Sequence, residues 1–412
     1  MLTRNIIVVL SLTFLINLGY GLILPGLSLY AVSLGASRSF VGVIVSIYAL
    51  AQLIVQIPAG RFSDRLGRKV FLLAGFAGVA VAAALNNFAS HPSHFFLFQA
   101  LAGASAGCLW PTLMALLTEE AAPSARGRLM GIFSTIFFLG LGLGPFFGGQ
   151  IATRYGFLAT FNLWSAIAVL GAIVCASTVK APPRLGARRR FQRESKPKEA
   201  VGLIRPGCWP TFLAGCTVRA RGGFCSSFNN SILPLYVAVS YDATPKMIGS
   251  LMLVHALGLA FFNIPGGLVT DRFGRKAPAI VGSLVATAGV FWYSFPGAFP
   301  TLLAAVGLAG AGSAFSSPAL AALTADISNP QRRAEAYGYF LTSFQIGVIF
   351  GATIFGFVAD LVDLPGAVLA WGITSLALSL CGFLIRERRT WTGDEASAVT
   401  TQKIQISREP AR

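Results

Sequence analysis

Residues 60–69 read GRFSDRLGRK. The chain is only 11% charged, yet Arg61, Asp64, Arg65, Arg68 and Lys69 all fall in this stretch. The chemistry open to such a cluster is ionic. Asp64 can sit against the free N–H groups and positive dipole end of a helix. Arg68 can pair with a carboxylate, and Glu119 and Glu120 close another apolar run. A second set of residues strands polar groups inside apolar runs: Asn17, Tyr20, Tyr48, Gln52, Gln56, Gln99, Arg221, Asn229, His255, Asn263 and Gln345. Such groups are costly in an apolar medium, so each is a candidate for function. His255 can carry a proton near neutral pH, and Arg221 can contact an anion. No Walker A pattern appears, nothing among the serines and histidines points to hydrolysis, and no metal-ligand cluster is present. Cysteines 108, 175, 208, 216, 225 and 381 are scattered without a redox or metal spacing. The residues therefore point away from an enzyme, and from any cofactor or metal.

The runs that must position these groups are long. Hydrophobic residues make up 55% of the 412, far more than in a soluble chain. Twelve apolar spans, near 6–33, 40–60, 70–89, 95–118, 129–152, 157–179, 209–239, 245–268, 277–296, 299–325, 335–361 and 365–385, are long enough for helices that cross a bilayer. The fold class expected is an all-α polytopic membrane protein. The net charge of +17 does not call for nucleic acid. With the N-terminus in the cytoplasm, 27 of the 32 Lys and Arg fall in cytoplasmic segments. This is the positive-inside bias, and it puts both termini in the cytoplasm of a cell-membrane protein. The first span is too long for a signal peptide and reads as uncleaved.

The chain also repeats itself. At a constant offset of 207 residues, GLVTDRFGRK at 267–276 answers GRFSDRLGRK, with Gly267, Asp271, Gly274, Arg275 and Lys276 on Gly60, Asp64, Gly67, Arg68 and Lys69. Arg272 on Arg65, Gly249 on Gly42, Gly310 on Gly103 and Asp326 on Glu119 keep the same offset. Internal duplication follows. The expected domains are a six-helix bundle at 1–179, a basic cytoplasmic linker at 180–206, a second bundle at 207–386 and a cytoplasmic tail at 387–412. Two like-oriented bundles imply a pseudo-two-fold axis along the membrane normal and a binding site between them near the midplane.

On these residues the sequence resembles a twelve-span member of the Major Facilitator Superfamily. Its signature G-x-x-x-D-R-x-G-R-R/K appears once in each half. The resemblance implies a secondary transporter working by alternating access, without a cofactor. It also implies a cytoplasmic latch of Gly60, Asp64, Arg65, Gly67, Arg68 and Glu119, matched by Gly267, Asp271, Arg272, Gly274, Arg275 and Asp326. In the family the counterpart of Asp64 meets the start of span 11, in the other bundle. Gly67 is suited to the tight turn between spans 2 and 3, which the apolar runs place between Gly60 and Val70. Span 5 carries Gly131, Gly140, Gly144, Pro145, Gly148 and Gly149, which fits G-x8-G-x3-G-P-x2-G-G. It resembles the antiporter motif of the superfamily's drug:proton exporters. Glycines four apart let another backbone approach closely, and Pro145 permits a bend.

Two absences qualify the resemblance. No Asp or Glu lies deep in any span, and Gln99 stands where such exporters often carry an arginine, four residues before Gly103. Asp64, Glu119, Asp326, Asp360 and His255 remain as titratable candidates. Tyr48, Gln52 and Gln56 form one stripe on span 2, answered by His255, Leu259 and Asn263 on span 8. Arg221 and Asn229 lie within about 80° of each other on span 7, with Arg219 about 160° from Arg221. Arg219 is expected to snorkel to the cytoplasmic end. The first functional expectation is proton-coupled efflux of small amphipathic molecules. The alternative is transport of an organic anion or other metabolite, with Arg221 on the substrate. A sensor that moves nothing is a third. The partners expected are a small-molecule substrate, protons and the bilayer, with the chain acting as a monomer.

Overall fold

The structure is a computed structural model that describes residues 3–120, 126–179, 202–295, 297–329 and 332–386, with side chains for all of these but 64, 65, 120, 126–128 and 334. The tail at 387–412 and residues 180–201 of the linker lie outside the described residues.

Among the described residues the chain forms twelve α-helices: α1 Arg4–Ser33, α2 Arg38–Leu66, α3 Arg68–Leu85, α4 His94–Glu120, α5 Arg126–Tyr155, α6 Phe157–Thr178, α7 Trp209–Ser240, α8 Pro245–Phe273, α9 Lys276–Trp292, α10 Phe299–Ile327, α11 Arg333–Leu361 and α12 Leu364–Leu380. In hydrocarbon each backbone N–H needs an internal partner, and a helix supplies it. Ten helical segments are long and apolar enough to cross a membrane. Of the other two helices, α9 stops at 17 residues, and α7 carries Arg219, Arg221, Asn229 and Asn230. Side chains close the first turns. Thr3, Ser37 and Thr244 accept from the N–H groups of Ile6, Phe40 and Met247, and Asp363 accepts from that of Gly366.

The helices run past the apolar spans at the end that bears the basic loops. α2 continues through Arg61 to Leu66 and α3 starts at Arg68, so Gly67 alone breaks the helix. The turn is therefore one residue long rather than the stretch between Gly60 and Val70. Charged side chains are compatible with a helix that leaves the apolar layer, whereas the reversal itself needs a backbone at φ +100°, which glycine tolerates. Gly274 repeats this at φ +85° between α8 and the start of α9. The described end of the linker lies along the end of α10, where Arg205 donates its N–H to the Ile327 carbonyl at 3.1 Å.

Two six-helix bundles result, α1–α6 and α7–α12. In the first, α5 lies on α1 through three of the glycines four apart. A Cβ at Gly140 would stand 2.9 Å from the Asn17 Cβ, and one at Gly144 would stand 2.7 Å from the Gly21 Cα. One at Gly148 would overlap the Leu22 backbone. In the second, Gly347 meets the Ala220 carbonyl of α7 in the equivalent place. Aromatic rings fill the interiors. Phe228 stacks on Trp371 with centroids 4.1 Å apart, and Trp164 packs edge-on to Tyr20. Gly131 has nothing within 4 Å. Gly148→Leu is thus expected to cost about 3 kcal/mol or more by forcing α1 from α5. Gly131→Leu should leave thermal unfolding in detergent unchanged.

Candidate functional site

At the end bearing the basic loops, the charges form matched pairs. Arg68 grips Glu119 with two donors, Nη2 to Oε1 at 2.6 Å and Nε to Oε2 at 3.1 Å. Its Nη1 also donates to the Ser63 hydroxyl at 3.4 Å. In the other half Arg275 Nε donates to Asp326 Oδ2 at 3.0 Å, and Nη1 donates to Asp271 Oδ1 and the Thr270 carbonyl. The next residue repeats too. Lys69 caps the Ala176 carbonyl at the end of α6, and Lys276 caps the Phe383 carbonyl beyond α12. Each of these pairs ties a loop to a helix of its own bundle. Asp271 engages Arg275 rather than a helix start across the seam. The side chains of Asp64, Arg65 and Glu120 lie outside the described residues, so the cross-bundle arm of the latch does too. Arg272 lies over the ring of its neighbour Phe273.

The bundles touch at the opposite end. There α5 meets α8, and α2 meets α11, backbone to backbone. Gly149 of α5 faces the Pro245 carbonyl of α8, and Gly249 of α8 faces the Pro145 carbonyl of α5. Gly42 of α2 faces the Ala352 carbonyl of α11, and a Cβ at Gly356 of α11 would stand 2.8 Å from the Arg38 carbonyl. The offset of 207 carries Arg38, Gly42 and Gly149 onto Pro245, Gly249 and Gly356, so the two seams are copies of one contact. Polar groups seal them. Ser46 donates to the Ile349 carbonyl at 2.7 Å and lies 2.8 Å from the Thr353 hydroxyl. The Asp360 carboxylate accepts the N–H groups of Arg38 at 3.1 Å and Ser39 at 2.9 Å, at the first turn of α2. Arg38 also donates Nη1 to the Ala359 carbonyl at 2.6 Å. The same place in the other seam holds Thr153, whose hydroxyl accepts the Lys246 N–H at 3.1 Å. One seam is thus capped by a charge and the other by a neutral hydroxyl. The sequence reading missed Arg38, Ser46, Thr153 and Thr353 as a group; mapping Thr153 onto Asp360 by the offset was the available signal.

The two bundles part toward the basic end. Gly131, Gly267 and Gly338 have nothing within 4 Å, and Gly60 meets only the Pro111 Cβ of its own bundle, at 3.6 Å. A cleft of about 370 Å³ opens beside Gly131, Ile132, Thr135 and Ile136 of α5 and Ile264 of α8. The polar residues of the spans are not gathered in one place. Tyr20 stacks on Tyr48 at 4.7 Å. Asn17 returns its amide to the Thr13 carbonyl at 2.7 Å, next to Gly140. Gln99 is buried in the first bundle with its amide nitrogen unpartnered. Gln52, Gln56, Asn263 and Gln345 are half-buried. Arg221, Asn229 and His255 come together, but inside the second bundle, where every lining residue belongs to α7–α12. Arg219 does not snorkel. It lies over Phe344 at 4.6 Å and Phe340 at 5.4 Å, and donates to the Ser317 hydroxyl at 3.1 Å. Two facing rings let a guanidinium stay within the bundle.

Residues 9–220 and 221–410 each match the Major Facilitator Superfamily, and the chain belongs to it. An uncharacterized MFS-type transporter of Methanocaldococcus jannaschii is 28% identical over 387 residues, covering 94% of this chain and 99% of that one. Multidrug resistance protein 2 of Bacillus subtilis is 24% identical, over 86% of this chain and 88% of its own. A bacterial homolog of the human lysosomal transporter Spinster, solved in an inward-facing and occupied conformation, has a TM-score of 0.74 at 16% identity, over 92% of this chain and 96% of that one. The protein is a multi-pass membrane transporter and not an enzyme.

Asp360→Asn should loosen the α2–α11 seam by about 1–2 kcal/mol, since the anion accepting two N–H groups becomes a neutral amide that can accept fewer. Spin labels at the start of α2 and the end of α11 should show the longer-distance population growing roughly tenfold. Thr153→Ala should move the α5–α8 distance less.

Proposed function

We propose that the protein is a secondary active exporter that exchanges small amphipathic molecules for protons by alternating access. The observation that carries this is the one-ended seam: two symmetry-related glycine contacts close one end while the same four helices part at the other. In this reading the basic loops, the linker at 180–206, the tail and both termini face the cytoplasm of a cell membrane, in keeping with the positive-inside bias. The structure is then the inward-open state. Gly60, Gly131, Gly267 and Gly338 are the places where the backbones would meet when the cytoplasmic end closes. Gly67, Arg68, Glu119, Gly274, Arg275 and Asp326 would act by holding each loop rigid on its own bundle, so that Asp64 can engage or release α11. The glycines and Pro145 of α5 serve both contacts of that helix, α1 through Gly140, Gly144 and Gly148, and α8 through Gly149.

Efflux is favoured by the relatives. Multidrug resistance protein 2 matches most of the chain, and α5 carries the full antiporter pattern. Substrate chemistry is favoured by the walls. Ile132 and Ile136 of α5 and Ile264 of α8, beside the cleft, suit apolar bodies, and among the described residues no carboxylate stands in the middle of a helix to attract a cation. Neutral and weakly anionic amphiphiles are the class this supports. The organic-anion reading shifts from Arg221, which is enclosed, to half-buried Arg219. Protons and a monomeric carrier complete the proposal.

The test uses inverted membrane vesicles with an acidic interior and a pH-sensitive dye. Neutral, anionic and cationic amphiphiles are added in turn to wild type and to Gly131→Leu with Gly338→Leu. The expected outcome is compound-dependent collapse of the gradient in wild type, and loss of at least ten-fold in the folded double variant, whose cytoplasmic end cannot close. Silence across the panel would remove proton exchange. Full activity in the double variant would remove closure at these glycines.

A further inference from the structure

We infer that the second bundle holds a small monovalent anion, of the size and charge of chloride, against Arg221. The argument starts from a charge without a counter-charge. Arg221 is 2% exposed, and a guanidinium does not give up its proton inside a protein. Enclosing such a charge is costly unless something opposite in sign or strongly polar meets it. No carboxylate does so among the described residues. Its contacts are Nη1 to the Ser375 hydroxyl at 3.3 Å and to the Cys225 sulfur at 3.7 Å. Ser375 lies 2.8 Å from Thr287, whose hydroxyl donates on to the Ser283 carbonyl, so these partners are neutral dipoles.

Donors are left over, and they share a cavity. Arg221 Nε and the indole Nε1 of Trp371 are buried without a partner. Both residues line one small cavity with Cys225, Asn229, His255 and Ser313. Trp371 is 1% exposed and is held by its stack on Phe228, so its N–H cannot turn to water elsewhere. The Asn229 amide also lines the space, with one end unpartnered; its oxygen and nitrogen are interchangeable by a flip. His255 is fixed in the wall by the contact of its Nδ1 with the Val306 carbonyl at 3.4 Å.

The space is about 10 Å³. That is on the order of one water-sized probe, so it suits a single-atom ligand and not a carboxylate with an organic body. The cation, the unpartnered donors and that size fit a halide. The cavity is lined by the second bundle alone, and the inference does not rest on what the transporter exports.

The test is binding of 36Cl⁻ to the purified full-length protein in nanodiscs, alongside thermal unfolding in sodium chloride and in sodium gluconate at equal ionic strength. Saturable binding of one chloride per chain is expected, displaced by bromide and not by gluconate. The unfolding temperature should be higher in chloride. Arg221→Gln should weaken binding at least ten-fold, and Trp371→Phe, which removes the N–H and keeps an aromatic ring, several-fold. Absence of saturable 36Cl⁻ binding in wild type, with equal unfolding in the two salts, would overturn the proposal and leave a water in the cavity. Binding unchanged in both variants would overturn it as well, by placing the anion elsewhere. Should Arg221→Gln fail to fold, wild type and Trp371→Phe decide.

Discussion

Everything in this molecule depends on where two backbones can touch. Inside a bilayer the hydrophobic effect does not drive helices together, because lipid is as apolar as leucine; packing contacts and polar pairs do it instead. Packing is strongest where no Cβ intervenes. Glycines place such points along α5 on two faces. Gly140, Gly144 and Gly148 hold α1 within the bundle, and Gly149 holds α8 at the seam. The same helix is thereby built into one bundle and pressed on the other. Its counterpart α11 does the same with α7 and α2. A rigid body that meets its neighbour over a short stretch of bare backbone can leave it without dismantling its own core.

Duplication then decides how the two seams compare. Equal backbones give nearly equal contacts, so differences must come from side chains. Thr153 and Asp360 occupy the same place and perform the same task, accepting the first N–H groups of the facing helix. The carboxylate accepts two such groups where the hydroxyl accepts one, and it meets the positive end of a helix dipole. The α2–α11 seam therefore carries the larger electrostatic share of the closed end. The basic end is ordered differently. Its ion pairs are exposed or half-buried, where each is worth about 1 kcal/mol or less. Their value lies in geometry. Arg68 with Lys69, and Arg275 with Lys276, fix these tight turns onto two further segments of their own bundle each.

Much of this could be read from the chain and some could not. The twelve helices, the duplication and the partners of Arg68 and Arg275 follow from apolar length, from a constant offset and from a carboxylate at the end of a neighbouring helix. Such signals are local or periodic. The turn was read as too long because apolar runs report where hydrocarbon ends, not where a helix ends. The seam was missed because its contacts are carbonyl oxygens, which every residue has. Only the glycines opposite them leave a trace, and a glycine does not say which helix it meets. Arg219 was misplaced for a related reason. Snorkelling was expected from its depth alone, whereas Phe340 and Phe344 lie more than a hundred residues further on.

The two arginines of α7 show how one helix divides charge between its faces. Arg219 and Arg221 point about 160° apart. One lies over aromatic rings on the side of α10 and α11, half-buried, where its charge is spread over polarizable faces. The other is enclosed among α8, α9, α10 and α12 with hydroxyls and a thiol. Both arginines therefore lie among helices of the second bundle, on opposite sides of α7. Among the described residues no acid stands in the middle of a helix to offset either charge. A further cation brought among these helices would lose its hydration shell without a mid-helix carboxylate among the described residues to replace it.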